Sequence, residues 1–286
     1  MSVGVDAGEL TGRIRAHYDR LSGLYQVLWG RHIHHGLFET GRESRAEAQV
    51  ALIEALVGLA GIERGSRVLD VGCGLGGSSM HLAREHECEC VGITISGVQA
   101  RRATRAARRA GLAGRVSFGV HDANDMTGIE GPFDVVWCVE CSEHIVDKGK
   151  LVREWGRLVR AGGRVALAAW CVREGMDAAS RARYIEPVER GMLLAGMVSA
   201  REYEGMLREA EFGAVRVRDV SEQVRLTWDV CARIARQGWV RALAGAMGDD
   251  VRAFVGSFGV MREAFGVGEM RYALMGGVRT DETVIG

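Results

Sequence analysis

The chain has 286 residues, of which 47% are hydrophobic, and its 37 basic side chains balance its 37 acidic side chains. A chain of this length and composition can bury a full core, which excludes extended disorder. Because the formal charge sums to zero, no overall electrostatic field favours nucleic acid or an anionic membrane, and we expect a small-molecule partner.

The seven cysteines and the distribution of apolar residues bear on compartment and metal content. An odd number of cysteines, several of them in apolar runs, favours free thiols in a reducing environment. Cys138 and Cys141 have the spacing of a zinc or redox site, but no second such pair exists, so no metal is predicted. No apolar run reaches the ~18 residues that span a bilayer. We therefore expect a cytoplasmic protein. The expected oligomeric state is a monomer or a homodimer.

Helical patterns and short apolar runs alternate between residues 46 and 170. The patterns predict helices at 46–60, from about Ser78, at 99–110 and at 148–159. They predict strands at Arg67–Val71, 88–94, 116–121, Phe133–Val139 and 164–170. Such alternation is typical of a parallel sheet with helices on both faces, the doubly wound α/β architecture.

Three stretches lie outside this alternation, and two further strands are predicted at 215–220 and 271–277. Ligands of open α/β sheets bind beyond the carboxyl ends of the strands, so helices inserted there would form a lid. The predicted organisation is a helical cap at 1–45, a cofactor-binding core at 46–171, a lid insertion at 172–198, a core helix and strand at 199–222, a helical lid insertion at 223–266, and a final core strand and tail at 267–286.

A glycine loop follows the first predicted strand, where residues 68–77 read Val-Leu-Asp-Val-Gly-Cys-Gly-Leu-Gly-Gly. Gly72 and Gly74 allow a sharp turn and a close approach of the backbone to a ligand. The loop also satisfies the dinucleotide pattern, but an NAD enzyme places an acid about 20 residues on, where this second strand ends at Thr94 without one. Asp70 instead favours S-adenosylmethionine, whose cationic methionine end suits a carboxylate.

Polar side chains also follow the third and fourth predicted strands. Asp122, followed by Ala123, can accept a hydrogen bond from an adenine amino group, although a helix cap or an exposed loop acid is the alternative. Glu140, Glu143 and His144 follow the fourth strand, at the edge that would face a sulfonium. His144, whose ordinary pKa is about 6.5, is the first candidate for a base and Glu140 the second. A purely positional role for His144 stays open.

Four segments carry a family resemblance. They are Gly-Leu-Tyr-x-x-x-Trp-Gly with His-Ile-His-His-Gly over 23–36, the glycine loop through Ser79, Gly-Ile-Thr-Ile-Ser with Val-Gln over 92–99, and Phe-Asp-Val-Val-Trp-Cys-Val-Glu-Cys-Ser-Glu-His-Ile-Val-Asp-Lys over 133–148. Together they resemble the gamma-tocopherol methyltransferase family and its bacterial natural-product relatives, strongly over about 17–171 and weakly beyond. The resemblance implies a Rossmann-like class I methyltransferase core with a helical lid.

The resemblance also implies a set of site residues. The cofactor residues are Asp70, Gly72, Gly74 and Gly76 for the methionine end, Thr94, Ile95 and Gln99 after the second strand, and Asp122 and Ala123 for the adenine. The catalytic residues are His144 and Glu140. The substrate and lid residues are predicted from the aromatic and histidine content of the N-terminal stretch rather than from the resemblance, and they are Tyr18, Tyr25, Trp29 and His35. Ser142 and Val146 replace a glycine and a proline of the family pattern beside the methyl-acceptor pocket, so tocopherol is not carried over as substrate.

The predicted function is direct in-line methyl transfer from S-adenosylmethionine, with S-adenosylhomocysteine as product. The methyl acceptor is a small organic molecule of natural-product, aromatic or prenyl type, methylated on carbon, oxygen or nitrogen. Positioning of the two reactants and exclusion of water supply most of the catalysis in such a reaction. The alternative is a cyclase or binding protein of the same fold that binds the cofactor without methylating.

Overall fold

The computed structural model describes residues 7–246 and 248–280. The strands of the described chain are β1 Arg67–Val71, β2 Glu89–Thr94, β3 Val116–Val120, β4 Phe133–Val139, β5 Val159–Val172, β6 Phe212–Asp219 and β7 Met270–Arg279. They form one sheet in the order β3-β2-β1-β4-β5-β7-β6. β1 to β5 pair in parallel, and β7 lies antiparallel between β5 and β6. The predicted doubly wound α/β fold is confirmed.

Helices connect and cover these strands. They are α1 Ala7–Trp29, α2 Arg45–Ala60, α3 Gly77–Glu85, α4 Gly97–Arg109, α5 Lys148–Leu158, α6 Ala178–Ser180, α7 Glu186–Met192, α8 Ala200–Glu209, α9 Ser221–Val224, α10 Leu226–Ala235, α11 Gly238–Ala246 and α12 Asp249–Gly266. A 3₁₀ turn at Ser142–His144 follows β4, and a π turn at Arg181–Ile185 precedes α7. No helix of the described residues is long and apolar enough to cross a membrane.

The core has two layers, one on each face of the sheet. Val135 and Trp137 of β4 point into the layer that contains α2 and α3, whereas Val136 and Cys138 point into the layer that contains α5 and α8. This alternation follows from the two-residue period of a strand. Because helices cover both faces, β4 is apolar at nearly every position.

The direction of β7 is the main feature that the pattern of the sequence did not predict. A period-two apolar run predicts a strand in either orientation. Here α12 ends at Gly266, and the short connection that follows leads directly into β7, which runs back along β5 from Val172 to Arg164. β7 therefore starts at the edge of the sheet where β5 ends. Because no helix carries the chain back to the opposite edge, β7 must run antiparallel to β5.

Candidate active site

A cavity of about 240 Å³ lies beyond the carboxyl ends of β1, β2 and β4. Its lower wall includes Gly72, Thr94 and Glu140, each of which directly follows or ends a strand. Its upper wall comes from α1, α10 and α12, which contribute Tyr18 and Phe254 among other residues. Helices from the N-terminal segment and from the 223–266 segment therefore cover the end of the sheet where an α/β protein binds its ligand.

The three glycines of the loop after β1 differ in what surrounds them. Gly72 has φ +78°, and a Cβ there would collide with the side chain of Cys141. Gly74 has φ +54° and lines the cavity, and its Cβ would meet only Ile33, at 3.6 Å. Gly76 does not line the cavity, and its Cβ would lie 2.5 Å from the Phe118 ring. Gly74 therefore leaves room for a ligand. Gly76 instead allows the start of α3 to pack closely against Phe118 of β3.

Asp70, at the carboxyl end of β1, is a buried carboxylate that faces the cavity. The Ser79 hydroxyl of α3 donates a 2.5 Å hydrogen bond to its Oδ2. Burial raises the pKa of Asp70 to about 6, and the Ser79 hydrogen bond partly opposes this rise. Because burial penalises the charged form, a cationic group in the cavity would stabilise the ionised carboxylate.

The segment after β2 forms a buried polar corner. The Thr94 hydroxyl donates to Gln99 Oε1 at 2.7 Å, and Ser96 Oγ accepts from the Gln99 backbone N–H as the N-cap of α4. Thr94, Ile95 and Gln99 all line the cavity. Asp19 of α1 binds the same corner, because its Oδ1 accepts from Ser96 Oγ at 2.5 Å. The predicted cofactor residues here are thus tied to the covering helix.

Asp122 and Ala123 follow β3 and line the next part of the cavity. Asp122 Oδ1 accepts hydrogen bonds from the backbone and the side-chain amide of Asn124, both at 2.9 Å. Ala123 is buried against the core layer that contains Ile93. The hydrogen bonds from Asn124 hold the Asp122 carboxylate in place within the turn after β3. The same residue lines the cavity, so its carboxylate can also reach a ligand.

Glu140 takes φ +52° directly after β4, and only 10% of its side chain is exposed. Its Oε1 accepts three hydrogen bonds: from the His35 backbone N–H at 2.7 Å, from His35 Nδ1 at 2.9 Å and from the Tyr272 hydroxyl at 2.7 Å. Burial alone would raise the pKa of Glu140, but His35 outweighs it and holds the pKa at about 2. A carboxylate bound in this way is a weak proton acceptor, which disfavours the predicted role of Glu140 as the second candidate base.

His144 lies in the 3₁₀ turn and pairs with Tyr18 of α1. Its Nδ1 lies 3.0 Å from the Leu193 carbonyl oxygen, which can only accept, so Nδ1 carries the proton. Nε2 lies 3.0 Å from the Tyr18 hydroxyl and therefore accepts from it when the imidazole is neutral. Burial lowers the pKa of His144, which the Leu193 hydrogen bond only partly offsets, so the neutral form dominates at pH 7. The two predicted residues form a directed pair on the cavity wall.

The remaining lid residues lie in an aromatic cluster over the cavity. The hydroxyl of Tyr25 contacts His17 Nε2 at 2.9 Å, and its ring packs edge-on against Phe254. The ring of His35 packs against the rings of Trp170 and Trp228, with centroids 5.2 and 5.0 Å away, and the two indole rings also contact each other. Trp29 also lines the cavity. The cavity wall is therefore mostly aromatic and apolar.

Tyr272 was absent from the predicted site, and Glu143 was noted after the fourth strand but given no role. Tyr272 comes from β7, and no local motif relates it to Glu140. Glu143 lines the cavity, its Oε1 accepts from the Trp170 backbone N–H at 2.6 Å, and burial raises its pKa to about 7. Its position directly before His144 was the available signal.

The site combines a buried carboxylate on β1, an open glycine cradle, polar groups after β2 and β3, and no carboxylate at the end of β2. This arrangement suits a ligand with a cationic end, a ribose and an adenine, and it lacks the acid that an NAD site requires. Fold and site together define a class I S-adenosylmethionine-dependent methyltransferase.

Comparisons with known proteins agree with this class. The model of the mycolic acid cyclopropane synthetase family matches residues 8–227. The chain is similar to a chloroplastic tocopherol O-methyltransferase of Arabidopsis thaliana, at 36% identity over 78% of this chain and 69% of the relative. It is also similar to a 2-methyl-6-phytyl-1,4-hydroquinone methyltransferase of Synechocystis, at 31% identity over 91% and 85%. Among solved structures, the cyclase SpnF covers 94% of this chain and 96% of its own, with 26% identity and a TM-score of 0.82.

The chain belongs to the mycolic acid cyclopropane synthetase family of S-adenosylmethionine-dependent methyltransferases, and within it to the group related to tocopherol methyltransferases. The family resemblance inferred from the sequence motifs is thereby confirmed. The cofactor is S-adenosylmethionine, and the methyl acceptor is a small organic molecule.

Proposed function

We propose that the protein methylates a hydroxyl-bearing methyl acceptor with a large apolar part, and that the Tyr18–His144 pair takes up the proton released from it. The observation that carries this proposal is the neutral His144, whose Nε2 lone pair faces the Tyr18 hydroxyl on the wall of an aromatic cavity. A neutral imidazole near pH 7 is suited to accept a proton.

The apolar part of the methyl acceptor is inferred from the upper wall of the cavity. Tyr25, Trp228, Phe254 and Phe258 line it, and burying apolar surface against such rings supplies most of the affinity of small-molecule sites. One relative is named for a phytyl-substituted hydroquinone, a hydroxyl-bearing ring with a long apolar chain. That chemistry fits a mostly aromatic cavity with the Tyr18–His144 pair on its wall.

The cofactor supplies a methyl group already activated on a sulfonium, so the residues of the chain need only bind, orient and move one proton. Asp70 and the cradle at Gly74 would hold its methionine end, Thr94 and Gln99 its ribose, and Asp122 its adenine. Closure of α1 and α12 over these groups excludes water, which strengthens each electrostatic contact.

The proton would leave through the pair in one concerted step. Burial raises the pKa of the Tyr18 phenol, so Tyr18 stays protonated and acts as a relay rather than as the base. As the bond from the acceptor oxygen to the methyl carbon forms and the sulfonium bond to that carbon breaks, Tyr18 takes the acceptor proton. It passes its own proton to His144 Nε2, which ends as imidazolium.

The test uses the whole chain, S-adenosylmethionine and three matched methyl acceptors: 2-methyl-6-phytyl-1,4-hydroquinone, the same ring without the phytyl chain, and the phytyl compound with both hydroxyls capped. We expect S-adenosylhomocysteine from the first, a higher KM for the second and no product from the third. His144→Ala and Tyr18→Phe should each lower kcat by roughly 10² to 10⁴ with nearly unchanged cofactor affinity. Tyr184→Phe, outside the cavity, is the control.

The pH profile separates a base from a positioning residue. The rate of the wild-type protein should rise with pH through the lowered pKa of His144 and reach a plateau by neutrality. His144→Gln, which keeps hydrogen bonding but cannot take the proton, should not restore activity. Full activity of His144→Gln, or a flat profile where chemistry limits the rate, would contradict the relay.

A second candidate function is cyclisation without methyl transfer, favoured by the similarity to SpnF over nearly the whole chain. The labelled-cofactor assay distinguishes the two functions. A cyclase would bind the cofactor and convert a linear substrate to an isomer of equal mass, with no S-adenosylhomocysteine formed.

A further inference from the structure

A second cluster of potential ligands lies apart from the cavity, where α2 packs beside α3. Glu54 extends from α2, His81 lies within α3, and His86 is the C-cap of α3. His81 Nε2 lies 2.5 Å from Glu54 Oε1, and His86 Nε2 lies 3.0 Å from the same oxygen and 3.2 Å from Oε2. None of the three lines the cavity. Within the described part of the chain, no other group of three such residues is placed to hold a metal ion.

The donor set and its geometry suit a zinc-like ion. One nitrogen from each imidazole and one carboxylate oxygen lie within 4.8 Å of one another. Ligands of tetrahedral Zn²⁺ lie about 2.0 to 2.2 Å from the metal, which places them about 3.3 Å apart. His81 therefore needs to withdraw from Glu54 by less than about 1 Å to admit the ion. Two imidazoles favour Zn²⁺ and its neighbours over Mg²⁺ or Ca²⁺, which prefer oxygen ligands.

The three side chains can also be reached by a metal ion from solvent. The side chain of Glu54 is 42% exposed, and those of His81 and His86 are 13% and 19% exposed. An ion can therefore enter, and a water molecule can occupy a fourth position. The two imidazoles are held by the folded helices, so little side-chain freedom is lost on binding.

We propose that Glu54, His81 and His86 form a transition-metal site of the zinc type, with water as the fourth ligand. Metal binding through Nε2 would replace the hydrogen bonds that the two imidazoles now make to the carboxylate. The expectation from the sequence that the chain holds no metal was based on a different set of residues, the Cys138–Cys141 pair.

The position of this site points to a structural role. α3 begins at Gly77, which lines the cofactor cavity, and ends at the proposed site. Nearby, Arg64 donates to the Glu85 carbonyl at 3.1 Å and pairs with Glu87 at 2.7 Å, so the α2–β1 connection already contacts the end of α3. A metal bridge from Glu54 would join the body of α2 to this region and hold in place the helix that carries the glycine loop.

The test is a calorimetric titration in which Zn²⁺ is added to the full chain. The protein is purified without a histidine tag. We expect one saturable site and a rise in the melting temperature with added Zn²⁺. Glu54→Gln, His81→Gln and His86→Gln should each weaken Zn²⁺ binding at least tenfold. Glu85→Gln, an exposed carboxylate on the same helix, should bind as the wild type does.

Co²⁺ provides a second readout, because its visible absorption is strong in a four-coordinate nitrogen and oxygen site and weak in a six-coordinate aqua complex. The three variants should lose the strong absorption while circular dichroism shows that they remain folded. No saturable binding by the wild type, or wild-type affinity in any one of the three variants, would overturn the proposal. The second result would direct the search to the cysteines.

Discussion

Glu143 offers a direct test of the electrostatics of the site. Its side chain is buried at the end of β4, and it accepts hydrogen bonds from the Trp170 backbone N–H at 2.6 Å and from the Ser142 hydroxyl at 3.3 Å. Burial raises its pKa from 4.5 to about 7, the Trp170 hydrogen bond opposes this, and the nearby Glu140 carboxylate adds to the rise. Glu143→Gln keeps the shape and the acceptor oxygen but removes the titration.

The sign and size of the effect follow from linkage. The folded protein holds the Glu143 proton more tightly than the unfolded chain, so the stability that this proton contributes is present below pH 4.5 and is lost as pH rises through about 7. Each pKa difference of one corresponds to about 1.4 kcal/mol, so the whole effect amounts to roughly 3 kcal/mol. Between pH 5 and 7.5 roughly 2 kcal/mol of it should be visible.

The assay is the free energy of unfolding in urea at several pH values for the wild type and for Glu143→Gln. We expect the stability of the wild type relative to the variant to fall by roughly 2 kcal/mol from pH 5 to 7.5. The range stops there because burial lowers the pKa of the neighbouring Lys148 to about 8. Glu63→Gln, on the surface, should show a constant difference. A constant difference for Glu143→Gln as well would refute this account of the buried carboxyl.

Four further variants test other parts of the site. Gly74→Val should abolish cofactor binding in calorimetry, and because φ +54° is unfavourable for a β-branched residue it should also cost roughly 1 to 2 kcal/mol of stability. Gly76→Ala, whose Cβ would lie 2.5 Å from the Phe118 ring, should lower the free energy of unfolding by roughly 1 to 3 kcal/mol. Asp122→Ala should weaken cofactor affinity by about ten- to a hundredfold, as loss of one charged hydrogen bond would, and an unaltered dissociation constant would indicate only a turn residue. Asp19→Ala removes the contact of α1 with the N-terminus of α4, and proteolysis at 20–40 should increase in the free protein but not with S-adenosylhomocysteine bound.

Local pattern determined how well each strand could be predicted. The bounds of β1 and β4 were predicted to the residue because each is a compact apolar run bounded by polar or glycine residues. β5 begins five residues earlier than the predicted 164, at Val159 directly after α5, because its first residues include the glycines of a bulged segment. Pairing with β4 stabilises that segment, and such pairing leaves no periodic signal.

The same distinction applies to the site. Asp70, Thr94 and Glu140 lie at the ends of parallel neighbouring strands, so a correct strand assignment brings them to one edge of the sheet. The partner of His144, by contrast, lies 126 residues away in α1. Tyr18 is predicted as a lid residue because it lies in the aromatic N-terminal segment, and nothing in its own sequence neighbourhood indicates which side chain it contacts. Tertiary packing alone determines that pair.

Glu140 shows why residue type and position do not determine a role. Its place after β4 made it a candidate base, yet three donors converge on one of its oxygens and its pKa is held at about 2. Two of those donors come from His35 and the third from Tyr272, so the carboxylate joins the N-terminal segment to β7 above the end of β4. Proton uptake by Glu140 would weaken all three hydrogen bonds, whereas His144 can take a proton on a nitrogen that now only accepts one hydrogen bond. Under the proposed function, Glu140 therefore has a structural role and His144 takes up the proton.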